Sequence, residues 1–196
     1  MDDALKAGYN TPQDLLIWRT NQGNLRMPLS PQDLLKKLEE LKFKITTHEH
    51  EAVFTVDESS KIKQDIPGGH TKNLFLKDKK GNFFLVVAEG SAQIKLNSIH
   101  GLIGAKGRVS FGKPEALMEL LGVKPGSVTA FAPINDTENK VSVIIDEPLL
   151  RYDLINCHPL TNEMTTTISR EDLLQFLNHV NHEPQIIQVS EVGEDT

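Results

Sequence analysis

One short stretch, Gly68-Gly69-His70-Thr71-Lys72-Asn73-Leu74-Phe75-Leu76, sets two glycines and a histidine before a lysine, an asparagine and an apolar run. Glycine lets a backbone turn sharply or pass close to another group. A lysine at the mouth of a strand holds a phosphate as a point charge, and an asparagine offers donor and acceptor together. The same residues also suit a strand that starts at the surface with a solvated lysine. Cys157-His158 resembles a nucleophile and its base, but neighbours on an extended chain point to opposite faces and cannot meet. Cys157 therefore reads as a small buried residue. His158 follows an apolar run and precedes Pro159, a strand-end position from which a histidine can face a cleft. His48-Glu49-His50-Glu51 places two imidazoles on one face of a strand, yet no third ligand is evident, so no metal site is expected. A nucleophile elbow, a Walker loop and paired-cysteine motifs are absent from the chain. Gly101-Leu102-Ile103-Gly104-Ala105-Lys106-Gly107 fits no phosphate-binding fingerprint and reads as a loop.

Several elements must position these groups. Thr11-Pro12-Gln13-Asp14 and Ser30-Pro31-Gln32-Asp33 each place a hydroxyl at a helix N-cap, proline at the first turn and a carboxylate three residues on. Ser169-Arg170-Glu171-Asp172 repeats the arrangement without proline. Leu34, Leu35, Leu38 and Leu41, then Leu173, Leu174, Phe176 and Leu177, recur at helical spacing behind the second and third starts. Pro114–Leu121 predicts a short helix stopped by Gly122. Strands are predicted at Asn73–Leu76, Phe83–Ala88, Val128–Ala132, Val141–Ile145 and Leu150–Asn156, with Lys79-Lys80-Gly81-Asn82 as a hairpin turn. Strands and helices do not alternate regularly. The expected fold is α/β of the α+β kind: a central mixed or barrel-like sheet with flanking helices.

At 196 residues with ordinary apolar and charged fractions, the chain is expected to form one domain over 1–180. A helical extension over 1–27 and a loose acidic tail over 181–196 complete the expected organisation. One cysteine and the lack of a signal-peptide layout or a membrane-length apolar run point to the cytoplasm. Net charge is −6, but Lys61 to Lys124 carries 11 Lys/Arg against 5 Asp/Glu. Such a basic middle in an acidic chain suits gripping one small anionic end, and argues against coating DNA or a membrane surface.

The lysine stretch, together with Ala52-Val53-Phe54-Thr55-Val56-Asp57-Glu58, Gly126-Ser127-Val128-Thr129-Ala130-Phe131-Ala132 and His158-Pro159-Leu160-Thr161-Asn162, resembles the YbaK/prolyl-tRNA synthetase-associated editing domain family. The resemblance runs from about Pro28 to Leu177. It is strongest to the freestanding branch that deacylates alanyl-tRNA(Pro), known as PrdX or ProXp-ala. What it implies is a cofactor-free hydrolase acting on mischarged tRNA(Pro), with prolyl-tRNA synthetase as a further partner. By resemblance, Lys72 engages the 3′-terminal phosphate of the tRNA and Asn73 is its polar neighbour. Gly126 opens a backbone loop that shapes the amino-acid pocket, and His158 is a pocket histidine. Phe54, Val56, Gly69, His70, Thr129 and Ala130 are the expected substrate-binding set, and Lys106 and Arg108 the expected tRNA contacts. Position 130 departs from the family: alanine stands where the family loop has proline, which stiffens a backbone. Alternatives are a deacylase for Ser-, Thr- or Cys-charged tRNA, in which Thr129 or Thr167 would bind a substrate hydroxyl, and a non-catalytic tRNA- or synthetase-binding module.

Overall fold

The computed structural model describes residues 27–50 and 66–191. The helix start at Thr11 and the candidate pocket residues Phe54 and Val56 lie outside the described residues. Helix α1, Pro31–Glu40, begins as its sequence dictates. The Ser30 hydroxyl accepts from the Asp33 N–H at 3.1 Å, and the Asp33 carboxylate accepts from the Ser30 N–H at 3.3 Å. Such caps contribute about 1 kcal/mol each. Its Leu34 and Leu38 are fully buried.

Strands β1 (Ile45–Glu49), β2 (Gly69–Lys77) and β3 (Phe83–Glu89) follow, then helix α2 (Leu96–Leu102), the two-residue β4 (Ser110–Phe111) and helix α3 (Pro114–Leu121). Gly122 ends α3 at φ 66°, where an added Cβ would lie 2.5 Å from Pro28 Cβ. The chain continues through β5 (Val141–Asp146), β6 (Leu154–Cys157), β7 (Met164–Ser169), α4 (Arg170–His179) and β8 (Gln185–Ile187). The Ser169 hydroxyl caps α4 by accepting from the Asp172 N–H at 3.0 Å.

The sheet is mixed and its path is open, in the order β1-β7-β6-β2-β3-β5-β8, with β4 added to β2. Parallel pairs join β6 to β2, β3 to β5 and β5 to β8; the remaining pairs are antiparallel. Strand alternation divides the apolar residues between two faces. Phe75, Leu85, Val87, Val143 and Ile145 meet α1, α3 and α4 in the larger core. Leu76, Phe84, Val86 and Ile144 meet α2 and Val189 in the smaller one.

Three expectations are corrected. Val128–Ala132 is a turn leading into a 3-10 turn at Ala132–Asn135, because Thr129 satisfies its neighbours locally. Its carbonyl accepts from Ala132 N–H at 3.1 Å, and its hydroxyl from Phe131 N–H at 3.3 Å. Leu150–Asn156 is a strand only from Leu154, since Pro148 sits in a 3-10 turn, Glu147–Arg151. The stretch expected as a loose tail is built into the fold as far as Glu191. There β8 pairs with β5, the Asp146 carboxylate accepts from the N–H groups of Val189 and Ser190, and His182 is buried against Asp136.

Candidate functional site

β2 enters the sheet through its two glycines. A Cβ on Gly68, at φ 110°, would sit 2.6 Å from the Leu154 carbonyl oxygen, and one on Gly69 would sit 2.5 Å from the Tyr152 ring. Both positions therefore need glycine for close approach to β6 and the turn before it. His70 lies 3.1 Å by its Nε2 from the Ile66 carbonyl and 3.3 Å from the Asn156 amide nitrogen. Asn156 is tied in turn to Pro67 and to the Thr167 hydroxyl, at 3.1 and 2.6 Å. Gly69 and His70 thus work as the hinge that seats β2.

Beyond that hinge the sheet forks. β6 is registered with β2 only at Gly69 and His70, and β4 only at Leu76 and Lys77. The Phe75 carbonyl, which accepts from Gly112 N–H at 2.8 Å, points to this divided edge. Backbone direction alternates along a strand, so the N–H and C=O of Asn73 point the same way, into the gap.

Side chains alternate as well. Thr71 and Asn73 share the face of Phe75 and the larger core. The Thr71 hydroxyl donates to the Asn156 carbonyl at 2.9 Å, with the Cys157 sulfur 3.9 Å away. Asn73 Nδ2 reaches Thr71 Oγ1 at 3.5 Å, while its Oδ1 is buried with no hydrogen-bond partner among the described residues. A buried acceptor without a donor costs about 1–3 kcal/mol. Gly126 opens its loop at φ 91°, and a Cβ there would lie 3.9 Å from the Asn162 amide nitrogen. Thr129 and Ala130 are fully buried. His158 Nδ1 lies 3.0 Å from the Met164 carbonyl, which can only accept. In the neutral ring, Nδ1 then carries the proton and Nε2 the basic lone pair. Leu160, two residues on, is held at φ 63°, a strained conformation for a bulky residue. Burial pushes the Cys157 thiol up to about 12, against a smaller opposing effect of the Thr71 hydroxyl, so it is inert as a nucleophile.

Lys72 is placed apart from these groups. Its side chain projects from the opposite face of β2, and its amino group donates to the Ala92 carbonyl in the loop after β3. That loop is braced from the C-terminal side: Glu191 N–H donates to the Gln93 carbonyl at 2.8 Å, and Lys95 pairs with the Glu191 carboxylate. Thus Asn73 shares its face of β2 with Phe75 and the larger core, to which Ala130 belongs, and Lys72 stands across the strand from it. Lys106 and Arg108 are exposed near the far end of β2. Lys106 N–H is fixed 2.7 Å from the Asp78 carboxylate, which also accepts from the N–H groups of Lys80 and Asn82. Burial works to raise Asp78, but these bonds and the Asn82 side chain bring it to about 2. Thr71 and Asn156 were not anticipated; the i, i+2 spacing of Thr71 and Asn73 is the one trace of their partnership in the sequence. No group of three or more His, Cys, Asp or Glu side chains that could hold a metal occurs among the described residues. No helix among them is long and apolar enough to cross a membrane.

Comparison with known proteins adds to this geometry. The model of the aminoacyl-tRNA editing domain matches residues 50–176. A prolyl-tRNA synthetase associated domain-containing protein 1 of Danio rerio is 38% identical over 165 residues, covering 81% of this chain and 89% of that protein. The prolyl-tRNA editing protein ProX of Acetoanaerobium sticklandii is 36% identical over 143 residues, covering 72% and 87%. A solved structure described as a proposed trans-editing enzyme for prolyl tRNA synthetase shares the fold, with a TM-score of 0.62 at 21% identity over 84% of this chain and 99% of that one.

Proposed function

We propose, for a chain that belongs to the aminoacyl-tRNA editing domain family, that it hydrolyses the ester of tRNA(Pro) mischarged with alanine, in trans to prolyl-tRNA synthetase. The observation that carries this reading is the fork in the sheet at Asn73. It leaves the backbone N–H of Asn73 facing the open edge, while the unpartnered buried amide oxygen lies on the face of the larger core that includes Ala130.

An aminoacyl ester is already activated, and each tenfold in rate takes only about 1.4 kcal/mol off the barrier. Placing a water against the carbonyl and directing an N–H at the developing oxyanion supplies several such factors. One such donor is typically worth on the order of 10²–10³ in rate. The Asn73 Oδ1 suits the substrate's α-amino group or the attacking water, since an acceptor can orient either. Lys72 exchanges the Ala92 carbonyl for the 3′-terminal phosphate, a stronger partner because it is charged. The two faces of β2 then divide the work, phosphate on one and ester on the other.

Selectivity follows from size. Alanine is smaller than proline, so a synthetase pocket built for proline cannot exclude it, and a second and smaller pocket is needed. Fully buried Thr129 and Ala130 give such a pocket little room. A substrate serine would need a hydrogen-bond partner; the Thr167 hydroxyl donates to Asn156 at 2.6 Å but keeps its acceptor capacity, so the choice of alanine rests on size.

Single-turnover deacylation of tRNA(Pro) charged separately with alanine, serine, cysteine and proline tests the reading. Alanine is expected to be lost rapidly and proline retained. Lys72→Ala is expected to lower the rate by at least tenfold with an unchanged melting temperature. A folded Lys72→Ala protein of normal activity removes the role given to Lys72, and rapid loss of another amino acid moves the substrate.

A further inference from the structure

Most of the apolar side chains of the smaller core are shut between the sheet and α2. Phe111 is not. The residue is 61% exposed on β4, a strand of two residues. Register fixes its direction: Phe111 opposes Leu76, and residues directly opposite across a ladder share a face. Leu76 and Lys72 are four residues apart on β2 and so share a face as well. The aromatic ring and the lysine therefore stand on the same side of the sheet. Four residues of strand and one inter-strand spacing separate them, about 14 Å between backbones.

The surroundings of the ring are cationic. In the segments around β4, Lys79, Lys80, Lys106, Arg108 and Lys113 are all exposed. The one carboxylate among these segments, Asp78, is buried beneath them and binds the N–H groups of Lys80 and Lys106, which holds the two basic segments side by side. A Cβ on Gly107 would lie 3.5 Å from the Lys79 side chain, a measure of how closely the segments approach. A lone exposed phenylalanine is ordinary on a protein surface. One carried among basic segments and set on the same face as a phosphate-binding lysine matches the way single-stranded nucleic acid is held, with bases on aromatic faces and phosphates on basic side chains.

We infer that Phe111 is the stacking platform for an unpaired base at the 3′ end of the tRNA, with the surrounding lysines and Arg108 on the adjoining phosphates. The inference rests on the editing reading above. It selects the single-stranded end over the paired stem, because stem bases are already stacked and offer no free face to a ring. The platform lies upstream of Lys72 along the bound strand and keeps the terminal ester at the fork while water attacks.

The test uses the full chain with uncharged tRNA(Pro), either intact or trimmed of its unpaired 3′ nucleotides. Phe111→Ala and Phe111→Leu should weaken intact tRNA by about 5- to 150-fold, the usual worth of one stacked base. Trimmed tRNA should bind equally to all forms, and Phe111→Tyr should restore intact binding. The salt dependence should keep its slope in the Phe111 variants and flatten in Lys106→Ala and Arg108→Ala. In a Trp18→Phe background, which removes the single native tryptophan, Phe111→Trp fluorescence should be quenched by intact tRNA alone. Undiminished binding by Phe111→Ala, or an equal loss for intact and trimmed tRNA, overturns the platform while leaving the editing reading in place if the unaltered protein still deacylates. A protein that neither deacylates nor binds tRNA removes both.

Discussion

Replacing Ala130 by proline asks whether the alanine has altered the loop that the family resemblance places over the amino acid. The Thr129-Ala130-Phe131-Ala132 segment closes with a hydrogen bond from Ala132 N–H to the Thr129 carbonyl at 3.1 Å. Phe131 has φ −83° and ψ −16°, near the ideal third position of a type I turn. Ala130 then occupies the second position, where proline is favoured and its N–H is not the one that closes the turn. The ring of Phe131 is pinned edge-on to Phe176 at 5.3 Å between centroids, so the turn is held by the core rather than by residue 130. Alanine therefore keeps the shape that proline would impose. Proline at a compatible site stabilises by roughly 0.4–1 kcal/mol, chiefly by restricting the unfolded chain. In a chain of this size that is a rise of about 1–4 °C in melting temperature. Against it stands the full burial of Ala130, since ring carbons without room cost about 1–3 kcal/mol. The burial cost outweighs the gain, so the expected result is a fall in melting temperature by calorimetry, with the ratio of alanine to proline deacylation unchanged. A changed ratio refutes the argument that this turn holds its form without proline.

Two further expectations follow from buried groups. His182 and Asp136 are each about 2% exposed in their side chains, and the His182 ring nitrogens face the Val180 carbonyl at 2.9 Å and the Asp136 carboxylate at 3.0 Å. Removing one partner of such a pair usually costs 3–5 kcal/mol, but Asp136 retains the Val141 N–H. His182→Ala is thus expected to cost about 3 kcal/mol, or roughly 6–12 °C by calorimetry; a change under 2 °C would count against a tethering role. Burial pushes the Asp136 carboxyl up, but the bond from His182 and the N–H groups of Lys140 and Val141 outweigh it and leave it below its ordinary value. Its stabilisation is therefore complete above the usual carboxylate range and is lost as pH falls through the lowered value, so the advantage over Asp136→Asn should hold near neutrality and shrink below about pH 4. At pH 8, Cys157 should react with a disulfide reagent roughly 10³-fold more slowly than a free thiol until urea unfolds the chain. Fast native labelling would show that the thiol is not enclosed.

The parts legible in the sequence are those whose causes are local. Ser30 with Asp33, Ser169 with Asp172, and Gly122 each announce a helix end because the capping bond spans only a few residues. Helix α2 announces nothing: Lys95 offers no side-chain cap, and Gly101 lies inside it. Strand β8 is hidden by its glutamine and by its edge position, and it is held by Asp146, some forty positions earlier. Val128–Ala132 carries strand-forming residues, yet the Thr129 bonds within its own turn prevail. At the site, Lys72 and Asn73 stand out by type, and strand alternation alone sets them on opposite faces. The fork that gives Asn73 its meaning depends on where β6 stops and β4 begins, which are long-range matters that no local pattern encodes.

The brace on the lysine loop also sets an order of assembly. Lys72 is held through Ala92, whose loop is bonded at Gln93 to Glu191, at the end of the segment carrying β8. Chains are made from the N-terminus at about 5–20 residues per second. Roughly a hundred residues therefore separate the synthesis of this loop from that of its last support. On the ribosome Lys72 is made well before the segment that braces its loop, and that support is complete only once residues 185–191 have docked beside β5.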